Sequence, residues 1–496
     1  MTAPVEISFV AEDLTALREA EGLVVVLCRG AEAMEEAAVA ADEAMGGALR
    51  RAVAAEAWKG KAGATLRVPA PGGLAAGALL LVSLGEEPGA DEALKAGGAI
   101  GAALSGKVAE AGVGVHAGGL DATLAADLAY GLALRAYDFD VYKRAEDEDA
   151  DRARPSVRLH VDAPEAVSRD SRGRMAAVEG VFFARDLVNE PANVLGTEEF
   201  AARLAAMGEL GLEVEILEEA DLEDLGMRAL LAVGRGSDSP TKVVVMRWNG
   251  GGDEAPLALI GKGVTFDTGG ISLKPAGGME DMTMDMGGAA IVAGAMRSIA
   301  LRGAAANVVG LVGLVENMPD ARAQRPGDIV TSMKGDTIEI VNTDAEGRLL
   351  LADVIWYAQE RFKPAGMVDF ATLTGAMIIA LGHEHAGYFG DDDGFASEWQ
   401  AACDAAGEKA WRLPLGAAYD KQLKSRLADM KNTGGRPAGS ITAAQFIKRF
   451  VKDGTPWIHV DVAGVTLVKE SGDLWPRGAT GWGVRACDAL VKGREG

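Results

Sequence analysis

The stretch GDTIEIVNTDAEGRLLLADVIWYAQERF, residues 335–362, passes from a short apolar run into a long amphipathic one. TIEIV (337–341) reads as a strand and residues 349–362 as a helix. Between them stand Asp344, Glu346 and Arg348, each two residues from the next. Residues two apart in extended chain point to one side. Two carboxylates on one side repel each other unless a positive charge lies between them, and hard divalent cations take carboxylate oxygens. Gly347 reads as the turn that lets the acids face a cleft. Taken alone, the segment favours a plainer account: a helix cap, with Thr343 or Asp344 at the N-cap and Glu346 near the positive helix end.

The same alternation of strand and helix extends in both directions. Upstream, strands are expected at 242–248, 257–263 and 307–315, and a helix at 288–303; downstream, strands at 367–373 and 457–464. These strands are nearly continuous in apolar residues, which implies a sheet covered on both faces by helices. Ligands of such sheets lie beyond the carboxyl ends of the strands, where 341–350 falls. The first part of the chain repeats the pattern, with strands at 22–28 and 78–85 and helices at 33–54 and 90–112. The charged, Pro-ended run RAEDEDADRARP (144–155) is the best boundary. The fold class is therefore α/β in two domains. A smaller N-terminal α/β domain spans 1–165. A larger C-terminal α/β catalytic domain spans 166–496, with a mixed or mostly parallel sheet covered by helices and a linker helix at about 168–190.

At 496 residues the chain is too long for one ordinary core. Hydrophobic residues make up 49% and mean hydropathy is +0.09, so disorder is not expected. The formal net charge of −24 argues against binding nucleic acid or an anionic membrane. Cys28, Cys403 and Cys487 lie far apart and form no metal or disulfide pattern. The N-terminus MTAPVEISFVAEDL has no basic region before an apolar one, and stretches such as 306–315 are too short to span a bilayer. A cytoplasmic location is expected.

A second segment, LALIGKGVTFDTGGISLKPAGGMEDMTMDMGGAA (257–290), also ends a strand with acids and bases: Lys262, Asp267, Lys274, Glu280, Asp281 and Asp285. Asp285 sits among Met residues, an apolar setting in which a lone charge is costly. Glu280 and Asp281 read as exposed loop acids. His383 and His385 flank Glu384 at a spacing unlike the helical His-Glu-x-x-His motif, and they read as loop residues. His459 reads as a core residue, and His116 and His160 have no partners in sequence.

NTDAEGRL (342–349), with GKGVTFDTGGISLKP (261–275) and MDMGGAA (284–290), resembles the leucyl aminopeptidase family of dinuclear metallo-exopeptidases. RDLVNEPAN (185–193), DFATLTGAM (369–377), GGRPAGSITAAQF (434–446), HVDVAGV (459–465) and KESGDLWPRGATGWGVR (469–485) stand in the family's order, so the likeness covers roughly 130–490. It implies that Lys262, Asp267, Asp285, Asp344 and Glu346 hold two divalent metal ions per subunit, Mn²⁺ or Zn²⁺, with Asp267 and Glu346 bridging. Lys274 and Arg348 would be the catalytic residues outside the ligand set, Arg348 holding a bicarbonate. Met282, Thr372, Leu373, Gly375 and Ala463 match positions that line the substrate pocket. Thr268 departs from the Ser of many relatives, one small hydroxyl for another.

The expected activity is removal of the N-terminal residue from peptides with a free N-terminus, broad but preferring Leu or Met side chains. The resemblance also implies a homo-hexamer, with the N-terminal domain serving assembly or access. Two other readings compete. A two-metal phosphoesterase would gather more cations than Lys274 and Arg348, and a non-catalytic assembly or binding protein would have lost ligands.

Overall fold

The computed structural model describes residues 2–104, 107–143 and 155–495. Most of the expected boundary run, 144–154, lies outside the described residues. The contacts divide the chain into two compact units, Met1–Phe182 with Glu470–Arg477, and Phe183–Lys469 with Gly478–Gly496. The helix expected at 168–190 runs Pro164–Asn189 and carries the change from one unit to the other.

The first unit is built on one sheet. Its strands are β1 (Ile7–Ala11), β2 (Leu23–Arg29), β3 (Ala33–Met34), β4 (Thr65–Pro69), β5 (Ala78–Ser83), β6 (Val113–His116) and β7 (Val157–Val161). Their order is β1-β7-β6-β2-β5-β4, with β3 beside β2. The apolar runs of β2 and β5 occupy the interior and are almost wholly buried, whereas β1 and β4 alternate in exposure at the edges. Neighbours from β1 to β5 are parallel, and β4 closes the edge antiparallel. The helix expected at 33–54 is two helices, Glu36–Ala44 and Ala48–Ala55. Gly46 and Gly47 break it, at φ of 62° and 79°. The helix expected at 90–112 stops at Ala102.

The second unit continues with β8 (Glu213–Leu217), β9 (Lys242–Asn249), β10 (Leu257–Asp267), β11 (Asn307–Asn317), β12 (Ile329–Thr331) and β13 (Thr337–Glu339). Then come β14 (Gly366–Ala371), β15 (Ala386–Phe389), β16 (Ala410–Arg412), β17 (Met430–Lys431) and β18 (Trp457–Asp461). The main sheet has the order β16-β15-β18-β14-β10-β11-β9-β8. Its centre, β18-β14-β10-β11, is parallel, and β9, β8 and β15 pair antiparallel outside it. Helices cover both faces. A Cβ on Gly310 would strike Val292 and Met296 of the helix Gly287–Arg302, and one on Gly313 would strike Leu350 and Val354 of the helix Gly347–Phe362. Residues three apart on a strand face opposite ways.

Two expectations change here. TIEIV is not part of the main sheet, because β13 pairs with β12 and β17 in a separate small one. The helical run Met279–Arg302 is long and apolar enough to cross a bilayer, but 83% of its apolar window is buried inside the unit, so its composition serves the core.

The chain leaves β10 for β11 and then crosses back to β14 on the other side of β10. The strand order therefore reverses beside β10, and open α/β sheets bind ligands in the crevice at such a point.

Candidate metal centre

Lys262 and Asp267 lie five apart on β10, which in a regular strand would point them to opposite faces. A bulge corrects this. Lys262 is level with Gly313 and Asp267 with Asn317, so β10 uses five residues where β11 uses four. Both side chains then share a face, and both are buried. Asn317 Nδ2 donates to Asp267 Oδ1 at 2.7 Å and to Thr343 O at 3.2 Å, joining the end of β10 to the 341–346 loop.

The two acidic segments converge through further bonds. Thr343 Oγ1 donates to Gly269 O at 2.7 Å, and Ser272 N donates to Thr343 Oγ1 at 2.8 Å. Thr343 is therefore a fastener and not a helix cap. The N-cap position is Glu346, whose side chain makes no capping bond. Residues 343–344 form a turn, so Asp344 and Glu346 reach the cluster from a bent loop and not from extended chain. Gly347 is not the turn either, since it is the first residue of the helix. Its role is clearance, because a Cβ there would lie 2.6–2.8 Å from Cδ, Cε and Nζ of Lys262.

Around Lys262 the contacts are dense. Its Nζ lies 2.8 Å from Asp285, 2.8 Å from Glu346, and 3.0 Å from the carbonyl of Thr372. Asp285 comes from a short 3₁₀ helix, Met279–Met286, and its Oδ1 also accepts from Thr372 Oγ1 at 2.8 Å. Lys274 contacts Asp267 at 2.7 Å and pairs with Asp344. Burial by itself would lower both lysines. The surrounding carboxylates, Asp285 first for Lys262 and Asp267 first for Lys274, outweigh it and raise them. Burial pushes Asp285, Asp344 and Glu346 up, and the crowding of the acids adds to this.

Every shift has the same sense, a demand for more positive charge. Four carboxylates meet two ammonium groups here. One oxygen each from Asp267, Asp285 and Glu346 lies within 4.8 Å of the others. Asp285 Oδ2 and Glu346 Oε2 are buried without a hydrogen-bond partner. Such oxygens are costly unless something binds them, and an oxygen-rich set with one amine suits a divalent ion.

Arg348 lies within electrostatic reach of Glu346, Asp461 and Asp344, and its Nη1 donates to the Asn432 carbonyl at 2.9 Å. Its Nε is buried without a partner, and burial lowers its pKa to about 10. Asn432 is a residue the sequence reading missed. Fully buried, it accepts from Val341 N at 2.8 Å and donates to Asn342 O at 2.6 Å, holding the loop that carries Asp344 and Glu346. Asp461 was missed as well. It accepts from Leu373 N, Ala463 N and Thr374 Oγ1, drawing together two of the segments named for the pocket. Asn432 lies in a polar stretch of no special pattern, whereas Asp461 is a lone acid in the apolar run HVDVAGV, a costly setting that could have flagged it. Met282 shares the short helix of Asp285, and Gly375 opens the helix Gly375–Leu381 with nothing within 4 Å of its absent Cβ. The loop histidines are outside the cluster: His383 bonds Gly464 O, and His385 packs on Trp411.

Residues 182–487 match the family described as "Cytosol aminopeptidase family, catalytic domain", and residues 24–146 match its N-terminal domain. The chain belongs to the cytosol aminopeptidase family. Among members of this family, it is 58% identical over 495 residues to a "Probable cytosol aminopeptidase" of Cereibacter sphaeroides, covering 99% of each chain. It is 57% identical over 498 residues to one from Dinoroseobacter shibae, covering 100% of each. Among solved structures it is similar to the bottromycin maturation enzyme BotP in complex with Mn, with a TM-score of 0.83 and 34% identity over 96% of this chain and 100% of that one. The chain thus belongs to a peptidase family, and the cluster described above lies within the segment that matches the cytosol aminopeptidase catalytic domain.

Proposed function

We propose that the chain is a metal-dependent aminopeptidase that removes the N-terminal residue from peptides, broadly but with a preference for Leu and Met side chains. The observation that carries this is the meeting of buried Asp267, Asp285, Glu346 and Lys262 with half-buried Asp344 and Lys274, in which one oxygen each of Asp285 and Glu346 lacks a partner. Lys262, Asp267, Asp285, Asp344 and Glu346 would hold two divalent ions, with Mn²⁺ or Zn²⁺ the fitting choices. When bound, such a pair supplies an activated water and an anchor for the free α-amine of the substrate.

The chain's own groups do the rest. Lys274 keeps its proton beside Asp267 and Asp344, so its ammonium can donate to the carbonyl oxygen as that oxygen gains negative charge. Arg348, even lowered to about 10, stays charged at neutral pH and cannot serve as a base. Its role is to hold an anion, bicarbonate in this reading, that carries the proton. Thr372, Leu373, Gly375, Ala463 and Met282 would shape the pocket for the first side chain, with Asp461 fixing the backbone of Leu373 and Ala463. The N-terminal unit would serve assembly of a homo-hexamer or access to the site, and the protein would act in the cytosol.

The test compares leucyl, methionyl and alanyl amides with N-acetyl-leucyl amide, using protein stripped by a chelator and then supplied with Mn²⁺. Hydrolysis should require the ion and the free amine. Equal cleavage of the acetylated amide would overturn the amine-anchored reading.

A further inference from the structure

The N-terminal unit brings together three residues that no feature of the sequence connects. On the parallel strands β6 and β7, His116 and His160 are level with each other. Level residues of neighbouring strands present their side chains on one face, and these two rings stack with centroids 4.4 Å apart and planes 13° from parallel. Glu12 follows the end of β1, which is the other neighbour of β7. Its Oε1 lies 2.7 Å from His116 Nδ1, and its Oε2 accepts from Gly118 N at 3.1 Å. His116 is only 3% exposed.

The plain account of a buried histidine is a core residue satisfied by hydrogen bonds. Glu12 satisfies one edge of His116, but His160 Nδ1 is buried with no hydrogen-bond partner. On the other side of the rings, the absent Cβ of Gly114 would lie 3.7 Å from His160 Nε2 and 3.9 Å from His116 Nε2, so no side chain fills that approach. Two imidazoles therefore face a single carboxylate, with the Ala11 backbone beside His160 and the His160 Nδ1 atom left without a partner. One ligand atom from each of Glu12, His116 and His160 lies within 4.8 Å of the other two.

We propose that Glu12, His116 and His160 form a binding site for a divalent transition-metal ion of the zinc class. Neutral imidazole suits this class of ion, and a carboxylate completes a three-ligand set with water at the fourth position. Ligand distances near 2.0–2.2 Å would require the donors to close by roughly 1 Å. The ion would join the three consecutive strands β1, β7 and β6, including the edge strand β1, and would stabilise the N-terminal unit independently of peptide hydrolysis.

The experiment uses the full chain. Protein stripped by a chelator is equilibrated with Zn²⁺, freed of excess ion by gel filtration, and its zinc counted. His160→Gln should lower the count by one ion per chain and leave leucyl-amide hydrolysis unchanged. In an Asp285→Asn, Glu346→Gln background, one ion should remain and should disappear when His160→Gln is added. Glu12→Gln keeps a bonding partner for His116 and should weaken that ion at least about tenfold. This milder variant decides the matter if His160→Gln does not fold. With Co²⁺ in place of Zn²⁺, the visible spectrum of the double-variant background should change when Glu12 is replaced. Equal zinc counts and unchanged Co²⁺ spectra across these variants would overturn the proposal, as would loss of hydrolysis in step with the ion.

Discussion

Asn432→Ala tests how the site loop is held. The Asn432 side chain is fully buried and fastens the loop from both directions. It accepts from Val341 N at 2.8 Å and donates to Asn342 O at 2.6 Å, with longer contacts of 3.3 Å to Asn342 N and Ala345 O. Two good bonds contribute about 1 kcal/mol each, and stranding their buried partners costs about 1–3 kcal/mol more. The expected loss is roughly 2–5 kcal/mol, a fall of about 3–8 °C in the melting of the catalytic unit. Because Asp344 and Glu346 ride on this loop, turnover should also fall, on the order of 10²-fold for a displacement near 1 Å. The bond from Arg348 goes to the Asn432 backbone carbonyl, so it survives the substitution and does not confuse the result. Asn432→Asp is the matched control of shape. It keeps the acceptors but turns a carboxylate toward two carbonyls, and should be no better than alanine. Thermal melts and amide hydrolysis read both. A melting point within about 1 °C of wild type, together with unchanged turnover, would refute the reasoning.

Two further outcomes follow from the same geometry. Arg348→Ala should lower turnover far more than it lowers metal content, because its bonds run to Asn432 and not to the carboxylates; equal losses in activity and bound metal would remove its assigned role. Burial pushes the Asp353 carboxyl up to about 7 despite the backbone N–H groups of Met333, Leu230 and Ala229. Between its unfolded value near 4 and about 7 the folded state therefore holds the extra proton, so stability should fall as pH rises through that window, by up to about 1.4 kcal/mol per unit. Asp353→Asn should flatten this part of the curve in urea melts. It should also cost about 1–3 kcal/mol, because an amide nitrogen would face a backbone donor. Identical pH profiles for the two proteins would contradict it.

The α/β class, the positions of most strands along the chain and the family resemblance were legible in the sequence because they rest on local quantities. Apolar runs such as LVVVLC and NVVGLVGLV bury on both faces wherever they fold, and NTDAEGRL is contiguous. Local pattern failed where a partner elsewhere in the chain decides the outcome. TIEIV has the composition of a central strand, yet it pairs in a small sheet because β12 and β17 are its neighbours. Gly347 looked like a turn residue, and its reason is the Lys262 side chain that crosses where a Cβ would be. Lys262 and Asp267 have the wrong parity to cooperate until the bulge against β11 is known.

By itself, then, the sequence determined the chemistry available: which acids, which bases, and the layers that could carry them. Only the tertiary structure decided the company they keep. Asn317, Asn432 and Asp461 act through contacts across long stretches of chain, and the level pairing of β6 with β7 brings His116 against His160 from 44 residues away. The physical reason is that burial and periodicity are written residue by residue, whereas register and side-chain meeting depend on how distant strands align.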